Sequence, residues 1–222
     1  MRVIIFGATG MVGQGVLREC LQDPGVELTV TIGRSVVQTT RDHLHQILHP
    51  NMEDLSSNEH LLTGLDACFF TLGVSSAGMS EAAYERITYG LTLHAAQTLS
   101  RLNPGMTFIY VSGQGTDSSE KGSSMWARIK GRTENALLAL PLKAYMLRPG
   151  IIQPLDGIKS RTLAYRIGYA VARPVLPLLR AALPNQILTT REIGQAMLKL
   201  ARQGYPKPIL ETKDIRALLN QQ

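Results

Sequence analysis

The chain is poor in cysteine: Cys20 and Cys68 are the two in 222 residues. Neither has a His or a second Cys at metal-ligand spacing, and both sit in apolar, regular-looking segments. A disulfide scaffold and a zinc motif are thereby excluded, no metal is expected, and two buried, reduced thiols point to a cytoplasmic protein. Aromatic residues are scarce too, at 5% with one tryptophan. Trp126 and Tyr110 do not form a series of stacking rings, so no nucleic-acid partner is expected.

Long apolar runs are also missing. The opening run, Val3-Ile4-Ile5-Phe6, stops at Gly7; it is too short for a signal peptide and suits a buried first strand. The apolar stretch over 163–183 carries Arg166, Arg173 and Arg180, which are incompatible with a transmembrane span. Their seven-residue spacing would make a basic stripe on one helix, as in helices that lie on membranes. Pro174 and Pro177 break such a helix in two, so a lid over a substrate cleft is expected and membrane-surface contact is not. There is no internal repeat or low-complexity tract. Apolar residues at 44% and charged residues at 18% describe an ordinary folded domain, long enough to bury a core without metal or disulfide.

Acidic residues are nearly absent from one region. Between Lys121 and Arg180 eleven basic residues face Glu134 and Asp156 alone, within a chain of net charge +6. Such a stretch suits the phosphates of a cofactor, an anionic substrate, a membrane surface or nucleic acid; charge by itself does not choose.

What is present is alternation. Residues 2–6 form an apolar, β-branched run. Val12, Val16, Leu17, Cys20 and Leu21 follow at helical spacing until Asp23-Pro24-Gly25. Strands are expected over 27–32, weakly over 46–48, and over 67–72, the last a continuous apolar run as in a strand buried on both faces. Ser80 is placed to cap a helix in which Ala83, Ile87, Leu91 and Ala95 recur. Strands over 107–111 and 143–147 flank a helix over 126–140. Thr189 and Glu192 form a capping box for a structural helix carrying Ile193, Met197 and Leu200. The expectation is one α/β domain, a doubly wound and mainly parallel Rossmann-like sheet. Residues 1–150 would be its core and 151–222 a small helical elaboration holding the lid and the closing helices.

Gly7-Ala8-Thr9-Gly10-Met11-Val12-Gly13 lies between the first strand and the first helix. In that position glycines let the backbone turn sharply and approach a pyrophosphate, which the helix N-terminus then receives. Gly13, with Gly15, would let the helix pack closely. Sites that prefer NAD place a carboxylate at the end of the second strand for the ribose hydroxyls. Here Gly33, Arg34 and Ser35 stand there. Nothing repels a 2′-phosphate and Arg34 can pair with it, so NADP(H) is preferred, NAD(H) remaining possible. His43, His45 and His49 are expected to be a polar surface connection rather than a metal site.

The GATGMVG opening, Thr71-Leu72-Gly73, Tyr110-Val111-Ser112, Lys130-Gly131 and Leu147-Arg148-Pro149-Gly150 resemble the atypical short-chain dehydrogenase/reductases. Within them the chain looks closest to the Tat-interacting-protein-like and nucleoside-diphosphate-sugar-epimerase-like members, over its first two-thirds. The resemblance implies that Gly7, Thr9, Gly10, Met11, Val12 and Gly13 line the pyrophosphate and Asn51 the adenine, while Arg34 and Ser35, on the charge argument above, would bind the 2′-phosphate. Thr71, Leu72 and Gly73 would flank the adenosine, Lys130 the nicotinamide ribose, and Pro149, Gly150 and Ile151 the nicotinamide.

The family's catalytic pair is Tyr-x-x-x-Lys, one helical turn apart, with the lysine lowering the tyrosine pKa. This chain reads Trp126-Ala127-Arg128-Ile129-Lys130, and an indole N–H does not titrate usefully. The family's serine pair after the fifth strand is Ser112-Gly113 here, leaving Ser112 as a substitute for the orienting hydroxyl. Two expectations stand side by side. One is an oxidoreductase acting on an unknown carbonyl or hydroxyl substrate, with Lys130 and Ser112 as catalytic residues, Trp126 in the substrate cleft, and acid–base help from Ser123, Ser124, Tyr84 or water. The other is a non-catalytic NADP(H)-binding module that senses redox state or binds a protein. Oligomeric state is not legible.

Overall fold

Val3, Ile4, Ile5 and Phe6 have no accessible surface because β1 (Arg2–Phe6) lies at the centre of a sheet covered on both faces. Successive side chains of a strand point to opposite sides, and the core divides accordingly. Val3 and Ile5 join Phe69, Ile109, Leu147 and Leu210 in one apolar cluster. Ile4 and Phe6 join Phe70, Phe108, Tyr110 and Met146 in the other. The computed structural model describes residues 1–158 and 186–221. The arginine stripe at 166, 173 and 180 and the expected lid lie outside the described residues.

The sheet adds β2 (Leu28–Gly33), β3 (Leu44–Leu48), β4 (Ala67–Phe70), β5 (Thr107–Val111), β6 (Lys143–Arg148) and β9 (Ile209–Glu211) in the order β3-β2-β1-β4-β5-β6-β9, every pairing parallel. Helices α1 (Met11–Gln22), α5 (Thr190–Gln203) and α6 (Thr212–Asn220) cover one face; α3 (Leu91–Leu102) and α4 (Met125–Leu138) cover the other. This is the doubly wound Rossmann-like architecture, and it draws its last strand from beyond residue 200. Beside it β7 (Ile151–Gln153) and β8 (Ile187–Thr189) pair as a small parallel ribbon.

Several elements differ from expectation. β3 starts two residues earlier and β4 ends at Phe70, because the Thr71 N–H and hydroxyl both donate to the Phe6 carbonyl, at 2.9 and 2.7 Å, and turn the chain over β1. The helix after Ser80 is interrupted. Ser80 Oγ accepts from the Ala83 N–H at 3.3 Å and opens α2 (Glu81–Glu85), but a π-helical turn over Arg86–Gly90 separates it from α3. That turn shifts the buried face, so Tyr84 and Thr88 are buried while Ala83 is exposed. Gly15 does not pack on the sheet: a Cβ there would lie 2.6 Å from Thr190 Cβ, on α5.

The capping box of α5 forms as expected. Thr189 Oγ1 accepts from the Glu192 N–H at 3.1 Å, and Glu192 accepts from the Thr189 N–H at 2.7 Å. Thr189→Ala should therefore lower stability by about 1 kcal/mol in a urea titration; no change would mean that packing of α5 alone holds the turn.

Candidate functional site

All six parallel pairings send the strands' C-terminal ends to one edge of the sheet, and at the β1/β4 switch point the connections diverge to opposite faces, which opens a crevice. The glycine loop sits there. Gly7 has φ +82°, its carbonyl accepts from the Gly10 N–H at 2.9 Å, and a Cβ on it would lie 2.6 Å from the Leu72 backbone nitrogen. The loop is thus pressed against the end of β4, which brings Thr71, Leu72 and Gly73 beside it. The N-cap of α1 is Gly10, which has no side chain to offer the N–H groups of the first turn. Thr9 offers its carbonyl to Gln14 Nε2 at 3.1 Å.

Toward β2, Arg34 and Ser35 are exposed immediately after the strand, and Arg34 makes no ion pair with another described residue. Asn51 is exposed and its Oδ1 accepts from the Glu53 N–H at 3.2 Å. The histidines do not cluster. His45 is exposed on β3, while His49 is buried rather than at the surface, its ring held between the Asp54 carbonyl and Asn58 Nδ2. It ties the 49–58 loop together.

The other end of the crevice is built by two turns. Ser112 follows β5 and is 3% exposed; its N–H and hydroxyl both donate to the Leu147 carbonyl, at 2.9 and 3.1 Å. Gly113 and Gly115 have φ of +120° and +87°, and the Gln114 N–H between them donates to the Pro149 carbonyl at 2.9 Å. A Cβ on Gly150 would lie 2.7 Å from Gln114 Oε1. Ser112, Gly113, Pro149 and Gly150 therefore form one knit wall, with Ile151 exposed beyond it.

Helix α4 supplies the remaining pieces. The half-buried Trp126 sets its indole edge on the 113–115 turn, 3.3 Å from where a Gly115 Cβ would be. One turn later Lys130 Nζ donates to the Ser112 carbonyl. Burial lowers its pKa from 10.5 to about 8, against the opposing pull of Glu134. Of the other hydroxyls considered for acid–base work, Tyr84 is buried and Ser123 and Ser124 are exposed ahead of α4. Tyr110 is buried beneath, its phenol bonded to Thr133 and its pKa raised by burial.

No family model matches the chain. It is 23% identical to "Protein FMP52-1, mitochondrial" of Scheffersomyces stipitis over 224 residues, 98% of this chain and 97% of that one. It is 27% identical to "Protein FMP52-2, mitochondrial" of the same organism over 207 residues, 91% and 88%. A short-chain dehydrogenase family protein from Francisella tularensis superposes with a TM-score of 0.66 at 13% identity, covering 95% of both chains. The Bordetella bronchiseptica enzyme WbmF in complex with NAD+ gives 0.64 at 15% identity, covering 95% of this chain and 72% of that one. The chain has the short-chain dehydrogenase fold.

Within that fold two expectations need correction or completion. The cytoplasmic assignment is overturned by the curated relatives, which are named mitochondrial proteins. Its basis was two buried free thiols; burial raises both thiol pKa values and makes them unreactive, which indicates no compartment. The second point is a buried ion pair that sequence reasoning missed. Glu134 is 0% exposed and its carboxylate accepts from Arg148 Nε at 3.0 Å and from Nη2. Arg148 also reaches Ser118 Oγ and, at 3.4 Å, Glu211. The pair ties α4, one turn past Lys130, to the residue just before Pro149-Gly150. The available signal was the i, i+4 spacing of Lys130 and Glu134.

The basic stretch is likewise less bare than it reads. Arg128 pairs with both oxygens of Glu81 at 2.9 Å, and Arg132 pairs with Glu85 and lies over the Tyr89 ring. The partner carboxylates come from α2, outside the stretch. A hollow of about 540 Å³ between α1 and α5, lined by Glu19, Asp23, Lys199 and Arg202 among others, shares no residue with the crevice.

Proposed function

We propose that the chain binds a nicotinamide dinucleotide in this crevice, NADP(H) in preference to NAD(H), and acts as an oxidoreductase on a small carbonyl or hydroxyl substrate. The observation that carries this is the glycine loop at the sheet's switch point. A Cβ on Gly13 would lie 2.1 Å from the Gly7 carbonyl oxygen, and the loop leads into a helix whose N-cap, Gly10, has no side chain. Side chains are kept out of a cradle that backbone N–H groups line, which is the chemistry a pyrophosphate needs. A protein of the same fold, WbmF, is known in complex with NAD+.

In this reading residues 7–13 hold the pyrophosphate, Thr71, Leu72 and Gly73 flank the adenosine, and Asn51 meets the adenine. Arg34 and Ser35 receive the 2′-phosphate, Lys130 the nicotinamide ribose, and Pro149, Gly150 and Ile151 the nicotinamide. The bound group would supply or accept a hydride; the chain orients the substrate and manages its proton. Trp126 forms a wall of the substrate cleft.

Calorimetric titration of nucleotide-free protein tests the first half. NADPH should bind more tightly than NADH, and Arg34→Ala should weaken NADPH by about tenfold or more, as expected for loss of a charge-assisted bond, with little effect on NADH. Equal losses would remove the 2′-phosphate role.

The buried Ser112 hydroxyl and Trp126 favour a second reading, a non-catalytic NADP(H)-dependent redox-sensing or protein-binding module. NADPH oxidation against a panel of carbonyl compounds separates the two. If turnover is found, Trp126→Tyr should leave or raise it; complete loss would give the indole a positive role as a stacking surface.

A further inference from the structure

An oxidoreductase of this kind must give a proton to, or take one from, the substrate oxygen. Among the side chains gathered where β4, β5 and β6 end, few can. The indole of Trp126 does not titrate, the Ser112 hydroxyl donates inward to Leu147, and Gly113 has no side chain. We propose, resting on the nucleotide-binding reading above, that Lys130 is the acid–base residue that exchanges this proton directly.

The geometry leaves its amine reachable. Nζ uses one N–H on the Ser112 carbonyl, and an ammonium has three. Among the described residues, its two chain neighbours aside, the nearest atom to a Cβ built on Gly113 is Lys130 Nζ, at 4.0 Å. A side chain at 113 would fill that space; glycine leaves room for a substrate oxygen to approach the amine.

The electrostatics suit the task. Glu134 on the same helix is the counter-charge, but both its oxygens accept from Arg148 of β6, with Glu211 at the end of β9 behind it. β5 contributes the Ser112 carbonyl. The partly neutralised carboxylate does not offset burial, so the amine titrates at about 8, close to where a general acid–base group is most effective. In the reducing direction the carbonyl carbon accepts a hydride from a reduced nicotinamide nucleotide and the C=O π pair moves to oxygen. An Nζ–H bond then breaks, its proton passes to that oxygen, and nitrogen keeps the electron pair as a neutral amine. The amine takes its next proton from water.

Protein labelled with 13C at lysine Cε reads this without nucleotide or substrate. One resonance, identified by its absence in Lys130→Arg, should titrate at about 8, well below the ordinary lysine value of about 10.4. Stability gives a second readout. The unfolded chain holds this proton more tightly, so wild type should gain stability relative to Lys130→Met as pH rises from about 8 to 10.5. With a turned-over carbonyl and saturating NADPH, so that any weakening of the ribose contact is offset, Lys130→Arg keeps the cation yet should lose ~100-fold or more in kcat. An ordinary lysine midpoint, or wild-type turnover by Lys130→Arg, overturns the proposal. Failure of wild type to bind NADPH overturns the underlying reading instead, and is told apart because the lysine midpoint is measured on the free protein.

Discussion

Glu134→Ala is expected to lower the unfolding free energy by about 3–5 kcal/mol. Glu134 is fully buried and Arg148 has a side-chain exposure of 12%. Removing the carboxylate leaves the guanidinium with Ser118 and, at 3.4 Å, the solvent-reached Glu211 as its remaining partners among the described residues. The loss comes mostly from that stranded charge, since a buried pair is worth little more than apolar residues of the same shape. Glu134→Leu combined with Arg148→Met should therefore recover much of the stability that either change loses alone. Glu27, whose side chain is 76% exposed in its pair with the N-terminal amine, gives the contrast, and Glu27→Ala should fall within about 0.5 kcal/mol of wild type. Urea midpoints of Glu134→Ala, Glu134→Leu, Arg148→Met, the combined change and Glu27→Ala decide the matter. A mild Glu134→Ala would mean that water reaches Arg148. Glu134→Gln carries a separate consequence, because losing the counter-charge should push the Lys130 midpoint further down.

The central strands were legible because each is buried on both faces and so reads as an unbroken apolar run, as in Val3-Ile4-Ile5-Phe6 and Ala67-Cys68-Phe69-Phe70. The glycine loop was legible because its function is local: Gly7, Gly10 and Gly13 act through their own backbone. Elements of three residues, β7, β8 and β9, carry no period to detect and exist by pairing with distant partners. The π-helical turn was invisible for another reason. The buried positions of α2 and of this turn are Tyr84 and Thr88, a phenol and a hydroxyl, whereas the apolar repeat in the sequence runs through Ala83 and Ile87. In the candidate site the sequence showed which residue types were missing, Trp126 for tyrosine and Gly113 for serine. It did not show that the Ser112 hydroxyl points to Leu147 or that Glu134 is buried, because both depend on β6 lying beside β5. The charge over 121–180 is likewise offset from outside the stretch: the carboxylates that pair with Arg128 and Arg132 stand forty-seven residues earlier.

Gly13→Ala should have the largest effect on nucleotide binding, a loss of about 100-fold or more in affinity. The added methyl would sit 2.1 Å from the Gly7 carbonyl oxygen, 2.7 Å from the Gly7 carbonyl carbon and 2.8 Å from Ala8 Cα. All three are backbone atoms, so no side chain can swing aside. The loop itself must move by roughly 1 Å, a misplacement that can cost about two orders of magnitude where ligand groups must align. Overpacking should also destabilise the fold by about 1–3 kcal/mol, visible in a urea titration without nucleotide. Two neighbouring glycines separate the cradle from a general intolerance of alanine. At Gly10 the nearest contact would be 3.2 Å, to the Gly7 oxygen, and at Gly73 nothing lies within 4 Å. Calorimetry with NADPH should therefore rank the losses Gly13→Ala, then Gly10→Ala, then Gly73→Ala. A reversed order would place the pyrophosphate against the end of β4 rather than on the loop, and with it would go the assignment of residues 7–13.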